Sequence, residues 1–177
     1  VMPELLKAME YRERIVIDVG YYKLYEDRGL PLRSQAMACM DTLLDTLPEK
    51  VNVSTILPYM TKNLGNELKV DDDTFYLTDI KTLVHSILLK LCKLAPGPML
   101  GGLDPLLEPL KKTIEMNPTS VNGTEIPKTD MERMVELRWS ALRVVHAFKA
   151  LENISSSAGY RDFETNFLMR NNTLVEM

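Results

Sequence analysis

Phe75-Tyr76-Leu77-Thr78-Asp79-Ile80-Lys81-Thr82-Leu83-Val84-His85-Ser86-Ile87-Leu88-Leu89-Lys90-Leu91-Cys92-Lys93-Leu94 is the most apolar stretch of the chain. Leu77, Ile80, Leu83, Val84, Ile87, Leu88, Leu91 and Leu94 recur at helical spacing and cover more than one narrow face. A helix that is apolar on two sides must be covered on two sides, so this segment belongs in the middle of a stack of helices. Asp73 or Thr74 stands where an N-cap is needed, and Pro96-Gly97-Pro98 predicts a turn after it.

Working outward, the same period recurs on both sides. Residues 3–13 carry Leu5, Leu6 and Met9 on one face and read as the end of a helix. Pro31, suited to a first turn, opens a helix with Leu32, Ala36, Met37, Met40, Leu43, Leu44 and Leu47 as its stripe, and Pro48 stops it. Ser54 is the expected cap of the next helix, whose stripe is Ile56, Leu57, Met60, Leu64 and Leu68. Residues 99–114 are helical in period but hold Pro105 and Pro109, which predicts a kink or a fresh start at Asp104. Residues 115–129 read as a long mobile loop. A helix resumes near Asp130 with Met134, Val135, Ala141, Leu142, Val145, Phe148 and Leu151 toward the core, and Ser155-Ser156-Ser157 breaks it. Tyr160, Phe163, Phe167 and Leu168 mark a last amphipathic helix over about 159–170.

These helices group as 31–47 with 54–69, 74–95 with 99–114, and 130–152 with 159–170. The pair starts are about 43 and 56 residues apart, and the first spacing falls within the ~40–47 residues of HEAT or armadillo units. The expected fold class is therefore all-α, a HEAT-like helix-pair solenoid, treated as one domain over 1–177. A plain helical bundle is the competing architecture.

Composition bounds the function. The chain has 177 residues, 45% hydrophobic and 26% charged, with a net charge of −4. Basic residues are scattered singly or in pairs such as Lys111-Lys112, so the clustered positive field of a direct nucleic-acid binder is missing. No apolar run reaches the ~18 residues of a membrane span. The chain opens at Val1, which reads as a piece of a larger solenoid. Cys39 and Cys92 form no disulfide framework and read as buried small hydrophobes in a reducing compartment.

The chemistry of an active site is not assembled by this sequence. His85 and His146 have no ligand or carboxylate partners at metal spacing and read as core or boundary histidines. Gly97, Gly101 and Gly102 lie between helical segments and make no phosphate loop, which needs a preceding strand. Asp71-Asp72-Asp73 lacks the alternation of a calcium loop and reads as a solvated cap. The eleven methionines read as adaptable core filler. The chain is read as non-enzymatic, with no cofactor and no metal.

One segment breaks the helical pattern. Arg14-Ile15-Val16-Ile17-Asp18-Val19-Gly20-Tyr21-Tyr22-Lys23-Leu24-Tyr25-Glu26 is rich in β-branched and aromatic residues, with Gly20 placed to supply a turn. It predicts a β-hairpin over 14–26, closed by Asp27-Arg28-Gly29. Tyr21, Tyr22 and Tyr25 cannot all point inward from two strands. Either they form an exposed binding anchor or they cap the open end of the helix stack. The candidate partner-binding residues are Val19, Gly20, Tyr21, Tyr22, Lys23, Leu24 and Tyr25.

An ordered set of residues carries a family resemblance. The hairpin ends in Glu26-Asp27-Arg28-Gly29-Leu30, followed by Leu32-Arg33 and Ala36-Met37-Ala38-Cys39-Met40-Asp41-Thr42-Leu43-Leu44-Asp45. Asp79-Ile80-Lys81, Leu103-Asp104-Pro105-Leu106-Leu107-Glu108-Pro109-Leu110 and Glu136-Leu137-Arg138-Trp139-Ser140-Ala141-Leu142-Arg143 come later. This resembles, over essentially the whole chain, the C-terminal domain of the cullin-associated and neddylation-dissociated proteins, also called the TATA-binding-protein-interacting domain. The resemblance implies a HEAT solenoid that wraps an unmodified cullin together with its RING partner. It also implies that the C-terminal repeats contact the cullin N-terminal region. The hairpin would then compete with the substrate adaptor and promote exchange of substrate receptors. Location in cytoplasm and nucleus is implied as well. The alternative partner is TATA-binding protein, bound through the solenoid surface by a transcription-related scaffold.

Overall fold

A computed structural model describes residues 2–21, 23–65, 74–116 and 128–171. Helix α1 (Met2–Glu10) is followed by strands β1 (Arg14–Asp18) and β2 (Lys23–Asp27) and then by α2 (Leu30–Thr46). Next come α3 (Val53–Leu64), α4 (Thr74–Leu94), α5 (Pro96–Gly101), α6 (Asp104–Glu115), α7 (Lys128–Lys149) and α8 (Ala158–Phe163). The last of these continues as one wider turn, Glu164–Leu168, and a tight turn, Met169–Asn171.

The helices form two layers. In one, α2, α4 and α7 lie side by side with α4 in the middle. In the other, α1, α3, α6 and α8 follow one another in the same sense. Across the layers the principal facing pairs are α1 with α2, α3 with α4, and α6 with α7. This is the HEAT-like stack expected from the sequence, but its pairs are shifted by one helix. Helices 31–47 and 54–69, read as partners, belong to successive pairs. Periodicity locates a helix's apolar face, whereas the choice of partner depends on the whole stack.

The two-sided character of α4 has its cause here. It is flanked by α2 and α7 and covered by α3, and Ile80, Val84, Ile87, Leu88 and Leu91 have no solvent exposure. Each such side chain contributes about 1.5–3 kcal/mol when fully buried. Met9, Met37, Met40, Met60 and Met99 are also fully buried, as core filler should be, but Met131 and Met169, read the same way, are exposed. Tyr160, Phe163, Phe167 and Leu168 are buried at the α8 end, with the Phe163 and Phe167 rings 5.1 Å apart.

Local signals fare unevenly. Pro31 lies in the first turn of α2, and α6 starts at Asp104 with Pro105 in its first turn. Asn52, rather than Ser54, caps α3, its side chain accepting from the Thr55 amide at 3.3 Å. The stretch from Pro96, read as a turn, is the short helix α5, because Pro96 supplies a first-turn residue with no amide to satisfy. Cys92 is buried as expected, but Cys39 is exposed. Of the 115–129 segment, Glu115 closes α6 and Lys128 opens α7. Its central part, like Leu68 and Asp71-Asp72-Asp73, lies outside the described residues.

Candidate partner-binding hairpin

The hairpin is an insertion between α1 and α2, the first facing pair of the stack. Its strands are antiparallel in the register Arg14↔Asp27, Ile15↔Glu26, Val16↔Tyr25, Ile17↔Leu24 and Asp18↔Lys23. Gly20 makes the turn with φ +87°, a conformation that other residues adopt only with strain. The Asp18 carboxylate accepts the Gly20 amide at 2.9 Å and helps hold the turn.

Most of the described hairpin residues are exposed. Along β1, Arg14, Val16, Ile17 and Asp18 are exposed and only Ile15 is half-buried. Val16 is 55% exposed and Val19 47%. Tyr21 is 103% exposed, so its ring does not cap the helix stack. Of the candidate residues, the structure places Val19, Gly20, Tyr21 and Lys23 at the exposed tip. Leu24 and Tyr25 belong to β2, but their side chains, like all of Tyr22, lie outside the described residues.

The root of the hairpin holds residues that the sequence reading used to close the hairpin and to mark the resemblance but did not place at the site. Asp27 Oδ1 accepts the amides of Glu13, at 3.1 Å, and Gly29, at 3.0 Å. Asp27 Oδ2 pairs with Arg33 Nη1 at 2.9 Å, and the same nitrogen donates to the Tyr11 carbonyl at 2.8 Å. The Arg33 side chain is 1% exposed and that of Asp27 12%. Burial pushes the Asp27 carboxyl up, but the Arg33 hydrogen bond, the Glu13 amide, the Arg33 charge and the Gly29 amide outweigh it, and the net displacement is downward. Gly29 is required because a Cβ there would stand 2.6 Å from the Tyr11 carbonyl oxygen. Asp27 and Arg33 are six residues apart, which is no helical spacing, so periodicity gives no cue to the pair.

Elsewhere the described residues assemble no reactive constellation. His85 is fully buried between α4 and α7. Ser140 Oγ donates to the Leu137 carbonyl at 2.7 Å, so it receives the His85 Nδ1–H at 2.6 Å. Burial first, then the Lys81 and Arg143 charges, hold the His85 pKa down at about 3. That is a neutral structural histidine. His146 is exposed on α7. Among the described residues no group of three or more His, Cys, Asp or Glu is arranged to hold a metal. An apolar groove of about 640 Å³ between α3 and α5, lined by Leu57, Pro58, Thr61, Pro98 and Gly102, contains no catalytic pair. No described helix is long and apolar enough to cross a membrane.

Residues 1–167 match the family model TIP120, described as TATA-binding protein interacting (TIP20). The chain belongs to the TIP120 family. Among curated relatives, cullin-associated NEDD8-dissociated protein 1 of Dictyostelium discoideum is 33% identical over 166 residues, 94% of this chain. The protein of the same description from Arabidopsis thaliana is 30% identical over 169 residues, 91% of the chain. Cullin-associated NEDD8-dissociated protein 2 of Rattus norvegicus is 27% identical over 167 residues, 93% of the chain. The TIP120 chain spans only 13% of the Arabidopsis relative and 12% of each of the other two.

Proposed function

We propose that this TIP120 domain is a non-catalytic interaction module of cullin regulation, working in cytoplasm and nucleus. It binds the N-terminal region of an unmodified cullin through the hairpin tip, competes there with the substrate adaptor and so promotes exchange of substrate receptors. The supporting observation is the fully exposed Tyr21 on a turn fixed by Gly20 and Asp18, in a chain whose relatives are named for cullin association. A large ring with few rotamers offers contact area at low entropic cost. Val19, Lys23, Leu24, Tyr22 and Tyr25 complete the proposed contact. Competition follows from mutual exclusion on one cullin surface, and exchange requires a ternary state in which hairpin and adaptor weaken each other.

The test is a binding panel of cullin N-terminal regions against the wild type and Tyr21→Ala/Tyr22→Ala. Loss of an aromatic anchor costs ~2 kcal/mol, so affinity should fall about thirtyfold while melting stays unchanged. Full retention of cullin by the double variant would refute the hairpin assignment. The family description favours a second reading, a scaffold for TATA-binding protein. It predicts binding of that protein, indifference to hairpin loss and no cullin capture.

A further inference from the structure

Among its described residues the hairpin is tied to the body of the protein chiefly at its root. A two-stranded ribbon of this size is marginal by itself and takes its direction from what anchors it. From Arg14 to Gly20 the ribbon is about 20 Å long at ~3.4 Å per residue, so a tilt of about 10° at the root moves the tip by 3–4 Å. A displacement of that size removes an aromatic anchor from its pocket.

One carboxylate gathers every strand of chain that meets at this root. Asp27 Oδ1 holds the Glu13 amide, immediately before β1, and the Gly29 amide, immediately before α2. Asp27 itself ends β2 and is paired in register with Arg14. Its other oxygen meets the buried Arg33 guanidinium of α2, which also takes the Tyr11 carbonyl just beyond α1. The Arg28 amide donates to the Glu13 carbonyl at 2.9 Å and closes the base of the ribbon. Glycine at 29 lets the Tyr11 segment lie against the start of α2.

We infer that Asp27 and Arg33 are positioning residues, a buried clamp that fixes the angle between the hairpin and the helix stack and so presents the Tyr21 tip pre-aligned to its partner. The clamp acts through the ribbon and touches no partner itself. Its value for binding rests on the proposed hairpin contact, but the clamped angle is a property of the free domain and is measured without a partner.

Two labels report the angle. Cys39 is an exposed native thiol on α2 and Cys92 is buried, so Tyr21→Cys adds a second exposed site at the tip. Spin labels on the pair give a distance distribution between tip and α2. The clamped protein should give one narrow distribution. Asp27→Asn keeps an oxygen for the two amides but removes the charge, and should widen the distribution at least about twofold. It also strands the Arg33 charge and will destabilise the fold. The decisive variant is therefore Asp27→Asn/Arg33→Met, which removes both charges. Melting should return to near the wild-type value while the distribution stays wide. With Tyr21 intact, this double variant should bind a cullin N-terminal region about tenfold more weakly, because pre-alignment is lost. A narrow distribution in the double variant, or a width that recovers together with melting, would overturn the clamp as a positioning device. A wild type that captures no cullin while the variants still widen the distribution would overturn the functional reading and leave the clamp standing.

Discussion

Lys81 offers a quantitative test of the α4–α7 core. It is 5% exposed on α4, and the charge it feels is that of Lys112, while its i+4 neighbour His85 is held neutral. Burial, and then Lys112, move its pKa from 10.5 to about 8. Its proton is thus held less tightly in the folded chain than in the unfolded one. Below pH 8 both states are protonated and the full cost is present. Between about 8 and 10.5 the folded chain sheds the proton first, the unfolded chain carries more protons, and stability rises with pH. At about 1.4 kcal/mol per tenfold change in proton affinity, the cost at neutral pH is ~3 kcal/mol. Lys81→Met keeps the length of the side chain and removes the charge, so it should stabilise the domain by about 2–3 kcal/mol at pH 7. With a urea slope of roughly 2 kcal/mol/M, the midpoint should rise by about 1 M. The gain should shrink toward zero near pH 10.5. Cys92, pushed up by burial to about 11, and Tyr160, pushed up by burial and then Glu164 to about 12, cost stability at high pH. They do so in both proteins and cancel in the difference. Urea titrations of the two proteins at pH 7, 8.5 and 10 decide the matter. A less stable Lys81→Met at pH 7, or a difference that does not change with pH, would refute the reasoning.

His85 should set the acid limb. Its pKa falls from 6.5 to about 3 in the fold, so its contribution is complete above pH 6.5 and is lost as the pH drops toward 3. His85→Gln should flatten the urea midpoint across that window, and an unchanged slope would contradict a neutral buried imidazole. At the hairpin root, Gly29→Ala sets a methyl 2.6 Å from the Tyr11 carbonyl oxygen. It should destabilise the domain by about 1–3 kcal/mol, read by thermal melting, and an unaffected melt would mean that the Tyr11 segment yields freely.

Much of the architecture was legible from residue order. Most of the stripes of α2, α4, α6 and α7, the start of α6 at Asp104 and the turn at Gly20 follow from local rules, in which side-chain period and backbone permission act within a few residues; Leu32, Leu47, Leu94 and Val135, counted in those stripes, are exposed instead. These rules also limited the reading. A stripe reports that a face is covered without naming the helix that covers it, which is why 31–47 and 54–69 were paired as partners. Cys39 shares the apolar segment of α2 yet is exposed. Asn52 supplanted Ser54 as a cap because two capping residues two positions apart compete and backbone geometry chooses between them.

The hairpin divides in the same way. Its strands, its turn and its wealth of tyrosine belong to the sequence, because β-branched and aromatic residues with a central glycine suit no helix. Whether Tyr21 caps the stack or stands in solvent was open until the helices were in place, because exposure depends on every neighbour. The Asp27–Arg33 clamp is wholly tertiary. Each residue alone looks like an ordinary surface charge, and only the convergence of α1, both strands and α2 buries the pair. The sequence determined that a ribbon interrupts a helical stack; the packing of that stack decided how the ribbon is anchored and left its tip in solvent.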